Sequence, residues 1–310
     1  MLMLMSRVFS LVYAFTDWKN ARLVPVHKKA EIDNYTPISL LSVPSTIMES
    51  CVSDTVVRHV FQNNLVTDKQ WVYREGHSTE LLLVHLSEIW RRAIDANKVV
   101  AVAFVDFKKA FDSVSHAILL HKLNFQFGAQ GSLLSWLTDY LTDRTQYSVV
   151  NGQRSTVLNV TCGIPQGSVL GPTLFALYTN DLPSAVTSGS IFMYADDTTV
   201  YCIGDTADNT VTSLNKALPE LNSWCQENSL TPHSAKCEAM LLMRKPHIGP
   251  LSSVTIGEER IEWVKHTRLL GITFDDRLSW VHHLTDVKKN FVNKLNLLKT
   301  SSFLNRRAII

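Results

Sequence analysis

Residues 191 to 203 read IFMYADDTTVYCI, with two adjacent acids, Asp196 and Asp197, set between apolar and β-branched runs. Runs of that kind predict two strands, and a tight hairpin turn puts both acids at the connection. The ordinary reading of such a pair is a solvated turn tip that needs no partner. About ninety residues earlier, NKVVAVAFVDF predicts a strand from Val99 to Phe107 that is buried on both faces, with a third acid, Asp106, near its end. An ionised carboxylate in apolar surroundings is costly unless cations or hydrogen bonds compensate it. Divalent metal would answer for all three acids, because a hard cation such as Mg²⁺ takes carboxylate oxygens and keeps waters that phosphates can replace. Two such ions about 3.5 to 4 Å apart activate an attacking oxygen and steady a leaving one.

The rest of the chain fits a globular protein. It has 310 residues, of which 45% are apolar and 19% charged, enough to bury a large core in one domain or two. The net charge is only +2, but residues 285 to 310 hold six Lys and Arg against one acid, so contact with a polyanion is expected locally, near the C-terminal end. The five cysteines, Cys51, Cys162, Cys202, Cys225 and Cys237, form no CxxC pair, and their odd number points to buried thiols in a reducing compartment. The opening MLMLMSRVFSLVYAF is apolar, but Arg7 interrupts it and no small-residue cleavage pattern follows, so it reads as a buried helix rather than a signal. No other run approaches the roughly 18 apolar residues needed to span a bilayer.

Helix and strand patterns mix without repeats, which gives an α+β class. TELLLVHLSEIWRRAI sets Leu82, Leu86, Ile89 and Ala93 on one helical stripe, and GSLLSWLTDYLTDR does the same with Leu133, Trp136, Leu137, Tyr140 and Leu141. In TSLNKALPELNSWCQENSL the apolar face is Leu214, Leu218, Leu221 and Cys225, and Pro219 is expected to kink or divide the helix. CEAMLLM reads as a strand. Residues 244 to 260, rich in Pro, Gly and Ser, read as a loop or subdomain joint. A basic amphipathic helix is expected from Asp286 onward.

YADD in its hairpin, FVDFKKAFDSV and GIPQGSVLGPTLFALYTNDLP, in that spacing, resemble the palm of reverse transcriptases of non-LTR (LINE-type) retrotransposons. WKNARLVPVHKK and NYTPISLLSV resemble the fingers segments of that family, and WCQENSLTPHSAKCEAML and RLLGITFDDRLSWVHHL its later palm motifs, so the likeness runs from about residue 17 to residue 299. The resemblance implies a right-hand polymerase, with fingers over residues 1–95, palm over 96–284 and the start of a truncated thumb over 285–310. It implies RNA-directed DNA synthesis from dNTPs on an RNA template with a DNA primer, no membrane, and no protein partner that can be inferred. Asp106, Asp196 and Asp197 match the family's catalytic metal ligands, which take two Mg²⁺ ions, with Mn²⁺ as a substitute. Phe111 matches an aromatic gate against a ribose 2′-hydroxyl, though a plain core Phe fits its residue type equally well. Gln166 and Gly167 match the segment lining the nucleotide and template pocket, and a simple turn is their structural alternative. Lys236 matches a lysine near the leaving pyrophosphate, and Leu270 and Gly271 match the turn that grips the primer. His282 and His283 read as structural, since adjacent residues do not face one site on a helix. Asp112 reads as a structural or helix-capping acid.

Three departures stand out. Thr36 occupies the place of an arginine that clamps the nucleotide triphosphate, leaving Lys28, Lys29 and Arg74 to supply part of that charge. Val72 and Tyr73 replace a Gly-Phe pair in QWVYREGHST. The thumb is at most begun, with no endonuclease ahead of it and no Cys/His knuckle, so duplex affinity is expected to be weak and salt-dependent. The leading expectation is a polymerase. The alternative is a retrotransposon-derived remnant that folds and holds nucleic acid without polymerising. An unrelated metal-dependent phosphohydrolase leaves GIPQGSVLGP and LLGITF unexplained. Cytoplasm or nucleus follows only from cysteine usage and the family.

Overall fold

The computed structural model describes residues 16–27, 35–72, 74–150, 152–245 and 249–300. The apolar opening run, Lys28, Lys29 and Tyr73 lie outside the described residues. In chain order the elements are β1 (Asn20–His27), β2 (Tyr35–Leu40), α1 (Val43–Gln62), α2 (Thr79–Asp95), β3 (Val99–Val105), α3 (His116–Phe125), α4 (Gly131–Leu141), β4 (Arg144–Val150), β5 (Gln153–Arg154) and β6 (Leu158–Val160). There follow α5 (Gly171–Tyr178), α6 (Leu182–Ala185), β7 (Ser190–Tyr194), β8 (Asp197–Gly204), α7 (Ala207–Glu227), β9 (Glu238–Leu242), β10 (Val254–Ile256), β11 (Glu259–Trp263), β12 (His266–Leu269), β13 (Ile272–Asp275) and α8 (Val281–Thr300).

The centre is a six-stranded sheet in the order β10-β11-β9-β3-β8-β7. Strand β3 lies in its middle, antiparallel to both β8 and β9. All seven β3 residues are buried, as its unbroken apolar run requires. Because side chains alternate along a strand, the run serves two cores at once. Val99, Ala101, Ala103 and Val105 pack on the side of α7, where the small alanines let the helix come close. Val100, Val102 and Phe104 face Leu86 and Trp90 of α2.

A second sheet, β2-β1-β4-β5 with β6 also on β4, draws on two distant stretches of chain. Strand β1 pairs antiparallel with β2 and parallel with β4, so residues 20–40 and 144–160 share one layer. A third, two-stranded hairpin is formed by β12 and β13.

Ser42, Ser78, Ser115 and Thr206 start α1, α2, α3 and α7, each side-chain oxygen accepting a backbone N–H of the first turn. Each such cap is worth about 1 kcal/mol. The expected stripe on α2 is present, with Leu82, Leu86 and Ala93 buried and Trp90 added to it.

Several expectations need correction. Helix α7 runs unbroken through Pro219, because Leu214, Leu218, Leu221 and Cys225 are fully buried and that packing outweighs one lost backbone hydrogen bond. The stretch 244–260 is a loop only in part, since β10 and the start of β11 pair within it. Helix α8 begins at Val281 rather than Asp286, because the Asp275 carboxylate accepts the backbone N–H of Ser279 at 3.0 Å and of Trp280 at 2.9 Å just ahead of it. Among the cysteines only Cys202, Cys225 and Cys237 are buried, while Cys51 and Cys162 are exposed. No helix among the described residues is long and apolar enough to cross a membrane.

Candidate active site

Asp106 follows directly on β3. Its backbone is fixed by the His233 N–H, which donates to the Asp106 carbonyl at 2.7 Å. The β3–β8 register pairs Val105 with Thr198, so one step further Asp106 stands across from Asp197, the first residue of β8. Strands β7 and β8 close on the pair Tyr194–Asp197, which leaves a two-residue loop of Ala195 and Asp196. Ala195 has φ +55°, the left-handed conformation such loops need to match strand twist. Register and turn geometry therefore deliver three carboxylates to one end of the sheet.

Their charges interact. The Asp197 carboxyl is pushed up to about 6, by the crowding of protein around it and by the negative charges of Asp196 and Asp106. Asp197 is exposed to solvent at the hairpin, so water screens part of both effects. Lys236, in a 3₁₀ turn just before β9, brings its Nζ to 3.7 Å from Asp106 Oδ2. Among the described residues, no group of three or more His, Cys, Asp and Glu side chains is close enough to hold a metal ion as it stands.

The GIPQG segment is tied to the turn after β3. Gly163 N–H donates to the Val114 carbonyl and Ile164 N–H to that of Phe111, both at 2.8 Å. Gly163 has φ +89°, and a Cβ there would meet the Asp112 carbonyl oxygen at 2.7 Å. Gly163→Ala is expected to cost about 2 kcal/mol, lowering the melting temperature by roughly 4 °C, which calorimetry would read. On its other side the segment joins the second sheet, as the Ser39 N–H donates to the Gln166 carbonyl at 2.8 Å. A Cβ on Gly167 would meet Ile38 and Ser39 of β2 at 3.1 Å, so here the small residue admits a strand. Gln166 also lines a cavity of about 370 Å³ together with Lys109, Asp112, Arg144 and Cys162.

Phe111 is partly buried and stacks on Phe175 at 4.8 Å between ring centres. Asp112 makes no side-chain cap, and Ser115 caps the following helix instead. Arg74 lies with its guanidinium over the Phe61 ring and donates to the Val66 carbonyl at 3.4 Å. Leu270 and Gly271 form the two-residue turn of the β12–β13 hairpin, both at positive φ. His282 stacks on His266, and His283 Nδ1 accepts the Thr273 N–H at 3.5 Å, so the two histidines do face different neighbours.

Two buried polar residues escape a reading of the sequence. Glu49 on α1 accepts the backbone N–H of Val169 at 2.9 Å and of Leu170 at 3.3 Å, holding the start of α5. Burial raises its carboxyl, and those hydrogen bonds oppose the rise. An acid amid the α1 residues STIMES was the available signal. Gln70, fully buried, hydrogen-bonds Ala195 in the acid-bearing loop, and its only signal was to open the quoted QWVYREGHST.

A sequence profile described as reverse transcriptase (RNA-dependent DNA polymerase) matches residues 26–274. The RNA-directed DNA polymerase from mobile element jockey of Drosophila melanogaster is 27% identical over 304 residues, covering 94% of this chain and 33% of that protein. The probable RNA-directed DNA polymerase from transposon X-element of the same species is 28% identical over 293 residues, covering 91% of this chain and 31% of its own length. The chain thus spans about a third of these curated relatives. Among solved structures, apo telomerase from Candida tropicalis superposes with a TM-score of 0.57 at 11% identity, over 85% of this chain and 54% of that one. That likeness carries the right-hand polymerase fold.

Proposed function

Because the chain belongs to the reverse transcriptase (RNA-dependent DNA polymerase) family, we propose that it is an RNA-directed DNA polymerase domain that extends a DNA primer along an RNA template from dNTPs. The observation that carries this reading is the meeting of Asp106 and Asp197 across two strands, with Asp196 in the adjoining loop. Carboxylates brought together at one end of a sheet suit divalent cations, and burial together with the charges of Asp196 and Asp106 raises the Asp197 carboxyl. Asp106, Asp196 and Asp197 would hold two Mg²⁺ ions, or Mn²⁺ in their place. Such ions, when bound, supply positive charge to the primer 3′-hydroxyl and the nucleotide phosphates.

The chain's other residues have distinct tasks. Lys236, beside Asp106, offers positive charge or a proton to the departing pyrophosphate. Phe111, braced on Phe175, presents a fixed wall to the sugar and rejects a 2′-hydroxyl by contact. Gln166 and Gly167 hold the nucleotide and template from the loop between the two sheets, and the Leu270–Gly271 turn holds the primer backbone. dNTP incorporation on a primed RNA template with Mg²⁺ tests the reading. Template-directed extension is expected, and no extension on either RNA or DNA would overturn it.

One observation favours the second reading, a fold that holds nucleic acid without turnover. Thr36 brings no charge to the clamp, and the Arg74 guanidinium is engaged by Val66 and Phe61. A gel shift with no incorporation would support it.

A further inference from the structure

We infer that Gln70 is a positioning residue for the reaction: its side chain fixes the Ala195–Asp196 loop, and through that loop aims Asp196 and Asp197. The inference rests on the polymerase reading above. Gln70 is wholly buried. Its Oε1 accepts the Ala195 N–H at 3.1 Å and the Val72 N–H at 3.4 Å, while its Nε2 donates a longer bond, 3.5 Å, to the Ala195 carbonyl. One amide thus engages both backbone polar groups of the residue next to Asp196.

That residue is under conformational load. A left-handed φ is unfavourable for any residue with a Cβ, and it persists only where the surroundings over-determine it. Ala195 has such a φ, and both of its peptide groups meet a buried side chain that cannot turn to water instead. A hairpin tip held only by its own two strands would sample other turns, and each would swing the carboxylates.

Gln70 can serve as a fixed point because its own backbone is anchored. Trp71 N–H donates to the Met193 carbonyl at 3.0 Å and Met193 N–H to that of Lys69 at 2.8 Å, so residues 69–71 run along the free edge of β7. Upstream, Asn180 after α5 accepts the Thr67 N–H at 2.8 Å and donates to the Leu65 carbonyl at 3.0 Å. Trp71 also packs against His77, His85 and Phe192. The strap is therefore pinned at both ends before it reaches the acids.

The test compares the parent chain with Gln70→Met, which keeps the volume and removes the three hydrogen bonds, and with Gln70→Met/Ala195→Gly, in which glycine takes the positive φ without strain. In Gln70→Met, kcat for dNTP incorporation is expected to fall about 10- to 30-fold with KM for dNTP changed less than about 2-fold. Exchange of the Ala195 amide proton, followed by NMR in ¹⁵N-alanine-labelled protein, is expected to accelerate about 100-fold, and Mn²⁺ binding measured by electron paramagnetic resonance to weaken several-fold. The double variant should recover part of the lost kcat. Unchanged Ala195 exchange overturns the inference whatever the activity, as does faster exchange with undiminished kcat. A silent parent in which Gln70→Met still frees the Ala195 amide and weakens Mn²⁺ binding supports the inference while the polymerase reading fails.

Discussion

Asp197→Asn is expected to lower dNTP incorporation by at least about 1,000-fold, roughly 4 kcal/mol of transition-state stabilisation, while making the metal-free protein more stable at pH 8. The two effects share one cause. In an unfolded chain an aspartate titrates near 3.9, whereas crowding and the charges of Asp196 and Asp106 push the Asp197 carboxyl up to about 6. Below the lower value both states hold the proton and there is no difference between them. Between the two values the folded protein keeps a proton that the unfolded chain has released, so stability falls as pH rises, and above 6 the penalty is complete. Asparagine has no proton to lose and escapes it. Solvent around the exposed Asp197 reduces the gain to about 1 kcal/mol, or 2 to 3 °C. Thermal melts without divalent ions at pH 4 and pH 8 would read it, with the gain confined to pH 8. A variant less stable than the parent at pH 8, or one that still incorporates dNTPs at the parent rate, would refute the assignment.

Thr36→Arg is expected to raise kcat/KM for dNTP by about 10- to 100-fold, chiefly through KM, because a hydrogen bond to a charged group is worth about 1.5 to 3 kcal/mol. Position 36 lies on β2, paired with Val26 of β1, in the sheet that the GIPQG segment joins through Ser39. Arg74 is in no position to compensate while its guanidinium caps the Val66 carbonyl and covers Phe61. The gain should shrink as salt is added, since an interaction between a guanidinium and a triphosphate is screened. Steady-state titration of one dNTP at two ionic strengths separates the outcomes. An unchanged KM would mean that the charge comes from elsewhere, with Lys28 and Lys29 the nearest cations in sequence.

The parts of this protein most legible in its sequence are those where periodicity and burial agree. The run from Val99 to Val105 is apolar at every position and rich in β-branched valine, which suits a strand covered on both faces. The carboxylates follow from that run and from the β-branched arms of the hairpin, whose register puts Asp106 across from Asp197. Helix α7 shows where local rules fail, because Pro219 opposes a helix that Leu214, Leu218 and Leu221 pay for by burial. The pairing of β1 with β4 left no local trace, since a parallel partner over a hundred residues away has no signature in either strand. Gln70 and Glu49 were hidden for a similar reason: a buried polar side chain is explained by the distant backbone groups it meets.

That parallel pairing has a consequence for how the protein is made. As the chain leaves the ribosome, β1 and β2 emerge early and can zip together, but the inner edge of β1 waits for residues 145 to 148. At 5 to 20 residues per second this is a wait of about 6 to 25 seconds. During that interval the strand edge from Asn20 to Leu23 stands open to other chains. The first sheet to begin therefore waits on strands more than a hundred residues downstream, and slow decoding between residues 40 and 144 would lengthen the time for which its edge stands open.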